Sequence, residues 1–153
     1  IRDRIGVTEP EATFSACFGE PFMPMHPGVY ADLLSKKMAE HGSTAWLINT
    51  GWSGGSYGVG KRMKIKYTRA MLNAALDGDL DDVEYIIDER FGFEIPKSCP
   101  GVPEEVLIPK QTWDDGNAYD ATADKLATMF KKNFERYAAG VSDEVNSASP
   151  SVA

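Results

Sequence analysis

Several features that would define a functional class are scarce in this sequence of 153 residues. It has only two cysteines, Cys17 and Cys99, too few for a disulfide framework or a zinc site, so we expect a reducing, cytoplasmic compartment. No apolar run approaches the roughly 18 residues of a membrane span, and the first residues are not of the signal-peptide type. Acidic residues outnumber basic ones 23 to 16, a net charge of −7, and such a chain repels nucleic acid.

The composition that remains is typical of one globular domain. Hydrophobic residues make up 42% and charged residues 25% of the chain, both near the averages for folded proteins. A chain of this length is close to a single domain with a core of its own. We therefore assign residues 1–140 to one domain and residues 141–153 to a flexible tail of small residues.

Hydrophobic periodicity predicts helices interleaved with strands, which is the α/β class. Three helices are expected, each ended by a glycine: one from Pro27 to Gly42, one from the N-cap Thr68 to Gly78, and one from Tyr119 to Gly140.

The strands are predicted from two different patterns. Residues 44–49 form a near-continuous apolar run, typical of a buried strand in a parallel sheet. Residues 61–67 alternate basic and apolar side chains, typical of a strand with one solvated or ligand-facing side. Loop is expected over residues 1–25, and short extended pieces between prolines over residues 83–109.

Residues 50–60 hold five glycines and form a loop whose backbone can approach a ligand closely. The stretch from Gly55 to Lys61 fits G-x-x-x-x-G-K, the first seven positions of a phosphate-binding loop. Arg62, however, stands where that motif requires a Ser or Thr hydroxyl, and a predicted strand stands where a helix should begin. A glycine-rich surface loop is the plainer alternative.

A base-binding pocket is a third interpretation of the residues around Lys61. Arg62 is planar and permanently charged, so it can stack on an aromatic base. Met63 can pack against that base, and the hydroxyl of Thr68 can hydrogen-bond its edge. In this interpretation the phosphates are held elsewhere.

Several short strings of residues carry a resemblance to a known family. In chain order they include Thr8-Glu9-Pro10, the FSACFG string from Phe14 to Gly19, the LINTGW string from Leu47 to Trp52, Gly60-Lys61-Arg62, Thr68-Arg69-Ala70 and the CPGV string from Cys99 to Val102. Between Gly6 and Tyr137 the chain resembles the ATP-dependent phosphoenolpyruvate carboxykinases. The GTP-dependent family carries different motifs in this region.

The resemblance implies a C-terminal fragment. Residues 1–140 would be the C-terminal part of the mononucleotide-binding domain of the carboxykinase fold, a mixed sheet with flanking helices. Members convert oxaloacetate and ATP to phosphoenolpyruvate, CO₂ and ADP in gluconeogenesis, using Mg²⁺ and Mn²⁺. The family's catalytic and metal-binding residues lie upstream, so the resemblance implies neither kind in this segment. Its ATP-binding positions fall on Arg62, Met63 and Thr68, at the adenine.

Two other functions stay open. One is a stand-alone, non-catalytic nucleotide-binding or scaffold module. The other is a small kinase that uses the stretch from Gly55 to Lys61 directly. The acidic residues Glu9 and Glu11 are ordinary in an acidic chain, and the aspartates within residues 77–82 lack the spacing of a calcium loop, which favours a solvated turn.

The remaining candidates have plainer structural interpretations. His26 and His41 lie at the two ends of the first predicted helix, where we expect structural or capping roles. Cys17 is expected to be a small buried hydrophobe, and Cys99 an ordinary loop thiol. Trp52 is expected either to line the same cleft as the glycine loop or to lie in the core.

Overall fold

Five α-helices and four short strands form the regular structure of residues 13–48 and 51–152, the part of the chain that the computed structural model describes. The helices are α1 Pro27–His41, α2 Ile65–Asp77, α3 Glu104–Leu107, α4 Gly116–Phe134 and α5 Asp143–Ser147. The strands are β1 Trp52–Ser53, β2 Lys61–Arg62, β3 Tyr85–Ile87 and β4 Glu94–Pro96. Three 3-10 turns occupy Glu20–Phe22, Pro109–Thr112 and Ala138–Gly140.

The chain divides into two compact units. The first unit contains the described residues before Trp46 together with residues 130–149. The second contains the described part of residues 46–129 and residues 150–152. The division of the sequence into a domain over residues 1–140 and a flexible tail stays a prediction.

The strands form two separate antiparallel ladders. In the first ladder Trp52 of β1 lies opposite Arg62 of β2, and in the second Ile86 of β3 lies opposite Ile95 of β4. Helices combined with small antiparallel sheets fit a fragment of an α/β protein.

The parallel strand predicted over residues 44–49 is not formed in its described part. Residues 44–48 belong to no ladder, and Leu47 is 79% exposed, while residues 49 and 50 lie outside the described residues. The prediction is wrong for residues 44–48 because a strand exists only through hydrogen bonds to a neighbour, which an apolar run does not supply by itself.

Helix α1 confirms the predicted start and end. Pro27 occupies its first turn, and Nδ1 of His26 accepts a hydrogen bond from the backbone N–H of Gly28 at 3.1 Å. This is the capping role expected for that histidine. At the other end Gly42 adopts φ +62°, a left-handed conformation, and its N–H donates to the carbonyl of Met38.

Helix α2 begins earlier than predicted. It starts at Ile65 with Lys64 as N-cap, and the N–H of Thr68 already donates to the carbonyl of Lys64, so Thr68 is not the cap. The strand predicted over residues 61–67 is therefore confined to Lys61–Arg62. Tyr67 explains the error, because it fits the alternating pattern and also begins the i, i+3, i+4 spacing of a helix.

The end of α2 and the acidic turn after it are as predicted. Gly78 ends the helix with φ +80°, and the aspartates of residues 77–82 are exposed in the following turn. Short strands occupy residues 85–87 and 94–96, in the region where extended pieces were expected.

Helix α4 begins before the predicted start and ends before the predicted glycine. Oδ1 of Asp115 accepts from the backbone N–H groups of Asn117 and Ala118, which fixes the first turn. The helix ends at Phe134, and Gly140 lies in the 3-10 turn that follows. The segment predicted as a tail contains α5, whose N-terminus is capped by the side chain of Ser142.

The core of the second unit is built from α2, the turn that follows it and the segment that follows β4. Ala74, Leu80, Cys99, Val102 and Leu107 are buried together, and Tyr67 and Met71 of α2 pack against them. Cys99 is therefore a core residue and not the loop thiol that the sequence predicted. Burial raises the pKa of its thiol, which keeps it protonated.

Candidate functional site

An open cleft of about 390 Å³ lies beside the β1–β2 hairpin in the second unit. Its walls come from the hairpin, from the start of α2 and from the segment that contains α3 and the 3-10 turn Pro109–Thr112. The cleft therefore joins the glycine-rich loop to residues far along the chain, within one compact unit.

Glycine is required where the hairpin meets the opposite wall. Gly54 has φ +79°, and a Cβ built there would lie 2.7 Å from the carbonyl oxygen of Thr112. A Cβ on Gly60 would collide with the backbone carbonyl of Gly55 across the turn. The loop thus uses its glycines to pack backbone against backbone, and this close packing shapes the cleft.

Two of the three predicted adenine-binding residues line this cleft. Arg62 is the last residue of β2, and its side chain is exposed to solvent. Met63 follows it, half-buried, and its backbone N–H donates to the carbonyl of Gly51 at 3.0 Å. Both residues line the cleft, and this hydrogen bond ties Met63 to the hairpin.

The third residue, Thr68, does not line the cleft. It is half-buried in the first turns of α2, beyond the residues of the helix that reach the cavity, Lys64 and Tyr67. The structure therefore places Arg62 and Met63 in the lining of one cleft and Thr68 outside that lining.

The phosphate-binding loop geometry is not formed. A helix does follow the glycine loop, contrary to the predicted strand, but Lys61 and Arg62 first pair with β1, and α2 begins only at Ile65. In a phosphate-binding loop the lysine stands at the helix N-terminus, where backbone N–H groups point at the phosphates. Lys61 instead lies in a strand with its side chain exposed.

The sequence analysis missed the opposite wall of the cleft. Glu105 and Asp114 line it, and neither makes a hydrogen bond or ion pair within the described part of the chain. No local signal connects them to Arg62, because only the tertiary fold brings them near. The cleft consequently offers both cationic donors and carboxylate acceptors to a ligand.

Tyr67 is a third residue of the cleft that the sequence analysis did not assign to the site. The ammonium groups of Lys64 and Lys66 lie 5.7 and 5.0 Å from the centre of its ring, within the range of a cation–π contact. The i, i+3 spacing of Lys64 and Tyr67 is the signal that could have found the first of these contacts.

The comparison with protein families decides what this chain is related to. A family model described as phosphoenolpyruvate carboxykinase matches residues 3–105, which include the hairpin and most of the cleft. The chain belongs to this family.

The curated relatives of this carboxykinase chain are longer than the chain itself. A phosphoenolpyruvate carboxykinase (ATP) of Geotalea uraniireducens is 61% identical over 140 residues, covering 92% of this chain and 26% of the relative. Those of Brucella anthropi and Thermus thermophilus are 58% and 57% identical, covering 96% and 95% of this chain and 27% of each relative. This chain spans about a quarter of the length of these carboxykinases.

A metal centre does not fit the described part of this carboxykinase chain. No group of three or more His, Cys, Asp or Glu side chains comes together within residues 13–48 and 51–152. Glu9 and Glu11 lie outside those residues. The helices that the structure describes also include none that is long and apolar enough to cross a membrane.

Three other candidate residues of the carboxykinase chain do not line the cleft. Trp52 neither lines the cleft nor lies in the core, since it is 46% exposed with its ring 5.6 Å from that of Tyr57. Cys17 is exposed, not buried as predicted, with its sulfur 3.3 Å from that of Met23. His41 is the exposed last residue of α1.

Proposed function

We propose that this chain is a segment of an ATP-dependent phosphoenolpyruvate carboxykinase and supplies the adenine side of its nucleotide site. The intact enzyme would convert oxaloacetate and ATP to phosphoenolpyruvate, CO₂ and ADP in the cytoplasm, as a step of gluconeogenesis. The segment would be the C-terminal part of the nucleotide-binding domain. The observation that carries the proposal is the family match over residues 3–105, which contains the cleft lined by Arg62 and Met63.

The side chains of the cleft suit an aromatic base. The guanidinium of Arg62 stacks on the face of adenine, and its planar, permanent charge makes that contact stronger than one from lysine. Met63, half-buried beside it, packs against the ring because its flexible thioether adapts to irregular gaps. The hydroxyl of Thr68, which lies outside the lining of the cleft, would bond to the edge of the base where the rest of the polypeptide completes the site.

Cationic groups near the base account for the attraction of an anionic nucleotide to an acidic chain. Lys61, Arg62 and Lys64 line the cleft, and none of them is in an ion pair with another described residue. A local positive field of this kind raises the association rate of an anionic nucleotide. The base contact then positions the phosphates, so Arg62 acts on the reaction rate through geometry.

The chemistry of phosphoryl transfer is assigned to the rest of the polypeptide. Mg²⁺ and Mn²⁺ would offset the charge of the transferring phosphoryl group, and the described residues do not fit those ions. The catalytic groups and the metal ligands would therefore lie in the remaining length of a carboxykinase.

The decisive experiment is ATP binding by the native gene product and its Arg62→Ala variant. Loss of the stacked guanidinium should weaken binding by about 1–2 kcal/mol, the order of one desolvated cation–π contact. The ATP affinity of Arg62→Lys should lie between those of the unmodified protein and of Arg62→Ala, because lysine keeps the charge and loses the planar group. Lys36→Ala, which removes an exposed charge from α1, is the control and should bind normally. Unchanged affinity in Arg62→Ala would contradict the proposal.

A small kinase that uses the stretch from Gly55 to Lys61 directly is the second candidate, because Lys61 does line the cleft. Lys61→Ala separates the two functions. A neighbour of the base pocket should lose little activity, whereas the lysine of a true phosphate-binding loop should be essential for phosphoryl transfer.

A stand-alone nucleotide-binding or scaffold module is tested by the mass of the native gene product. An antibody against the helix within residues 119–137 should detect a protein several-fold heavier than 16.8 kDa, with oxaloacetate- and ATP-dependent activity in the same fraction. A band at 16.8 kDa without that activity would favour the module.

A further inference from the structure

Helix α2 carries apolar side chains on two opposite faces. The inner face, with Met71 and Ala74, packs into the core of the second unit. The outer face, which we define as Ile65, Leu72 and Leu76, is 71%, 46% and 75% exposed. The spacings of seven and four residues align these three side chains along one side of the helix, about 180° from Ala74 at 100° per residue.

A helix in a folded protein packs its apolar faces against other elements. Single exposed aliphatic residues are ordinary, but an aligned set on one helix marks a contact surface. The outer face of α2 therefore has the character of a surface that another layer of protein covers.

The polar residues on this face define the chemistry of that layer. Arg69 lies between Ile65 and Leu72 on the same side of the helix, and its exposed side chain makes no hydrogen bond or ion pair with any described residue. A guanidinium that is taken out of water needs an acceptor, because burial of an unpaired charge is strongly unfavourable. The covering surface must therefore be apolar and present a carboxylate or carbonyl oxygen opposite Arg69.

We propose that the rest of the carboxykinase polypeptide covers the outer face of α2. This inference rests on the proposed function, in which the chain is one part of a longer enzyme. The relatives contain about three times as much sequence again, since the chain spans 26–27% of their length, and that length supplies the missing layer.

A second copy of the chain fits this face poorly. The helix has 13 residues and is about 20 Å long, too short to bury the roughly 1,200 Å² of a specific interface by itself. In a two-fold symmetric contact the face would meet itself, which would bring Arg69 near its own counterpart in an apolar surrounding.

The covering layer also accounts for the position of Thr68. This residue lies beside Arg69 at the edge of the outer face, while Arg62 and Met63 line the cleft beside the hairpin. The adenine site is then completed where the covering layer meets the N-terminal turns of α2, and Thr68 reaches the base from that side.

The test is the accessibility of a thiol on the outer face in the native gene product. The background is Cys17→Ser, which removes the exposed cysteine of this chain and leaves the buried Cys99, and the labelling of this background is subtracted from that of each variant. Leu76→Cys is compared with Asp82→Cys, an exposed position in the turn after α2. A covered Leu76→Cys thiol should react with a maleimide at least about tenfold more slowly than the control, and equally fast in urea.

Each outcome decides the proposal. Equal reaction rates in the native state would overturn it, and so would protection that disappears on dilution together with a dimer, because the partner would then be a second copy. If Leu76→Cys does not fold, Leu72→Cys on the same face provides the measurement. The readout does not involve ATP, so its failure is distinct from unchanged ATP affinity in Arg62→Ala, which would contradict the proposed function.

Discussion

Arg90 and Asp124 are joined by a hydrogen bond of 2.6 Å from Nε of the arginine to Oδ1 of the aspartate. A weaker contact of 3.4 Å from Nη2 to Oδ2 makes the pair bidentate. The two side chains are only 19% and 29% exposed. Arg90 belongs to the turn between β3 and β4 and Asp124 to α4, so the pair holds the hairpin to the helix. The pKa of Arg90 is raised, first by this hydrogen bond.

Removal of the aspartate should therefore destabilise the protein. Asp124→Ala leaves a half-buried guanidinium without its main acceptor, and the free energy of unfolding should fall by about 1–2 kcal/mol. Urea unfolding of the native gene product measures this change. Asp82→Ala removes an exposed carboxylate that has no ion pair among the described residues and is the matched control. Equal losses in the two variants would show that the pair contributes nothing specific.

Asp120 should give part of the stability a pH dependence. Its carboxylate accepts from Nζ of Lys110 at 2.7 Å and from Nη1 of Arg90 at 3.3 Å, and these cations, Lys110 first, lower its pKa. The charged form is therefore favoured in the folded state. The stabilisation is complete above the ordinary pKa of 3.8 and is lost as the pH falls from there through the lower folded value.

Asp120→Asn tests this linkage. Its stability should depend less steeply on pH below about 4 than that of the unmodified protein, because the native and unfolded states then no longer differ in proton binding at this position. Denaturation in urea across that acid range gives the slope, and Asp82→Asn is the control. The same slope in both variants would refute the assignment to Asp120.

Gly54 and Gly58 form a natural pair for a test of the hairpin. Both have positive φ, +79° and +88°, so alanine carries a similar backbone strain of about 1–2 kcal/mol at either position. Only at position 54 does the new Cβ also meet the carbonyl of Thr112, whereas position 58 has open space. Gly54→Ala should therefore weaken ATP binding more than Gly58→Ala, because Gly54 and Thr112 line the cleft. Equal effects would mean that the packing of hairpin on turn does not shape the site.

Thr68→Val should weaken ATP binding by about 0.5–1.5 kcal/mol, the contribution of one neutral hydrogen bond. The substitution keeps the shape of the side chain and removes the hydroxyl. Thr122→Val is the matched control, since Thr122 is an exposed helical threonine whose hydroxyl donates to the carbonyl of Ala118 in its own helix. Isothermal titration of the native gene product with ATP measures both. If Thr68→Val binds as tightly as the control, the threonine has no role at the base.

Local sequence signals predicted both ends of α1 and the end of α2, but not the start of α2, the ends of α4 or the strand over residues 44–48. Pro27 and Gly42 mark α1 correctly, because the capping of a helix depends on residues within one turn of its end. Residues 44–48 are apolar enough for a strand, yet they form none, because a strand also needs a hydrogen-bonded neighbour.

The candidate site likewise contains residues that local sequence signals could find and residues that they could not. The identity of Arg62 and Met63 as candidates followed from their chemistry and from the order of motifs along the chain. Glu105 and Asp114 could not be found in this way, since nothing near them in the sequence connects them to the hairpin. They reach the cleft only because the segment from α3 to the turn after it packs against the glycines of the loop.

The sequence by itself determined the family, the ends of α1 and the residue types suited to an adenine. Each of these depends on residues that are adjacent or in fixed order along the chain. Only the tertiary structure decided which of them share a cleft. Arg62 and Met63 line the cleft and Thr68 does not, because the segment from α3 to Asp114 packs against the hairpin and the cleft between them reaches the start of α2 only at Lys64 and Tyr67.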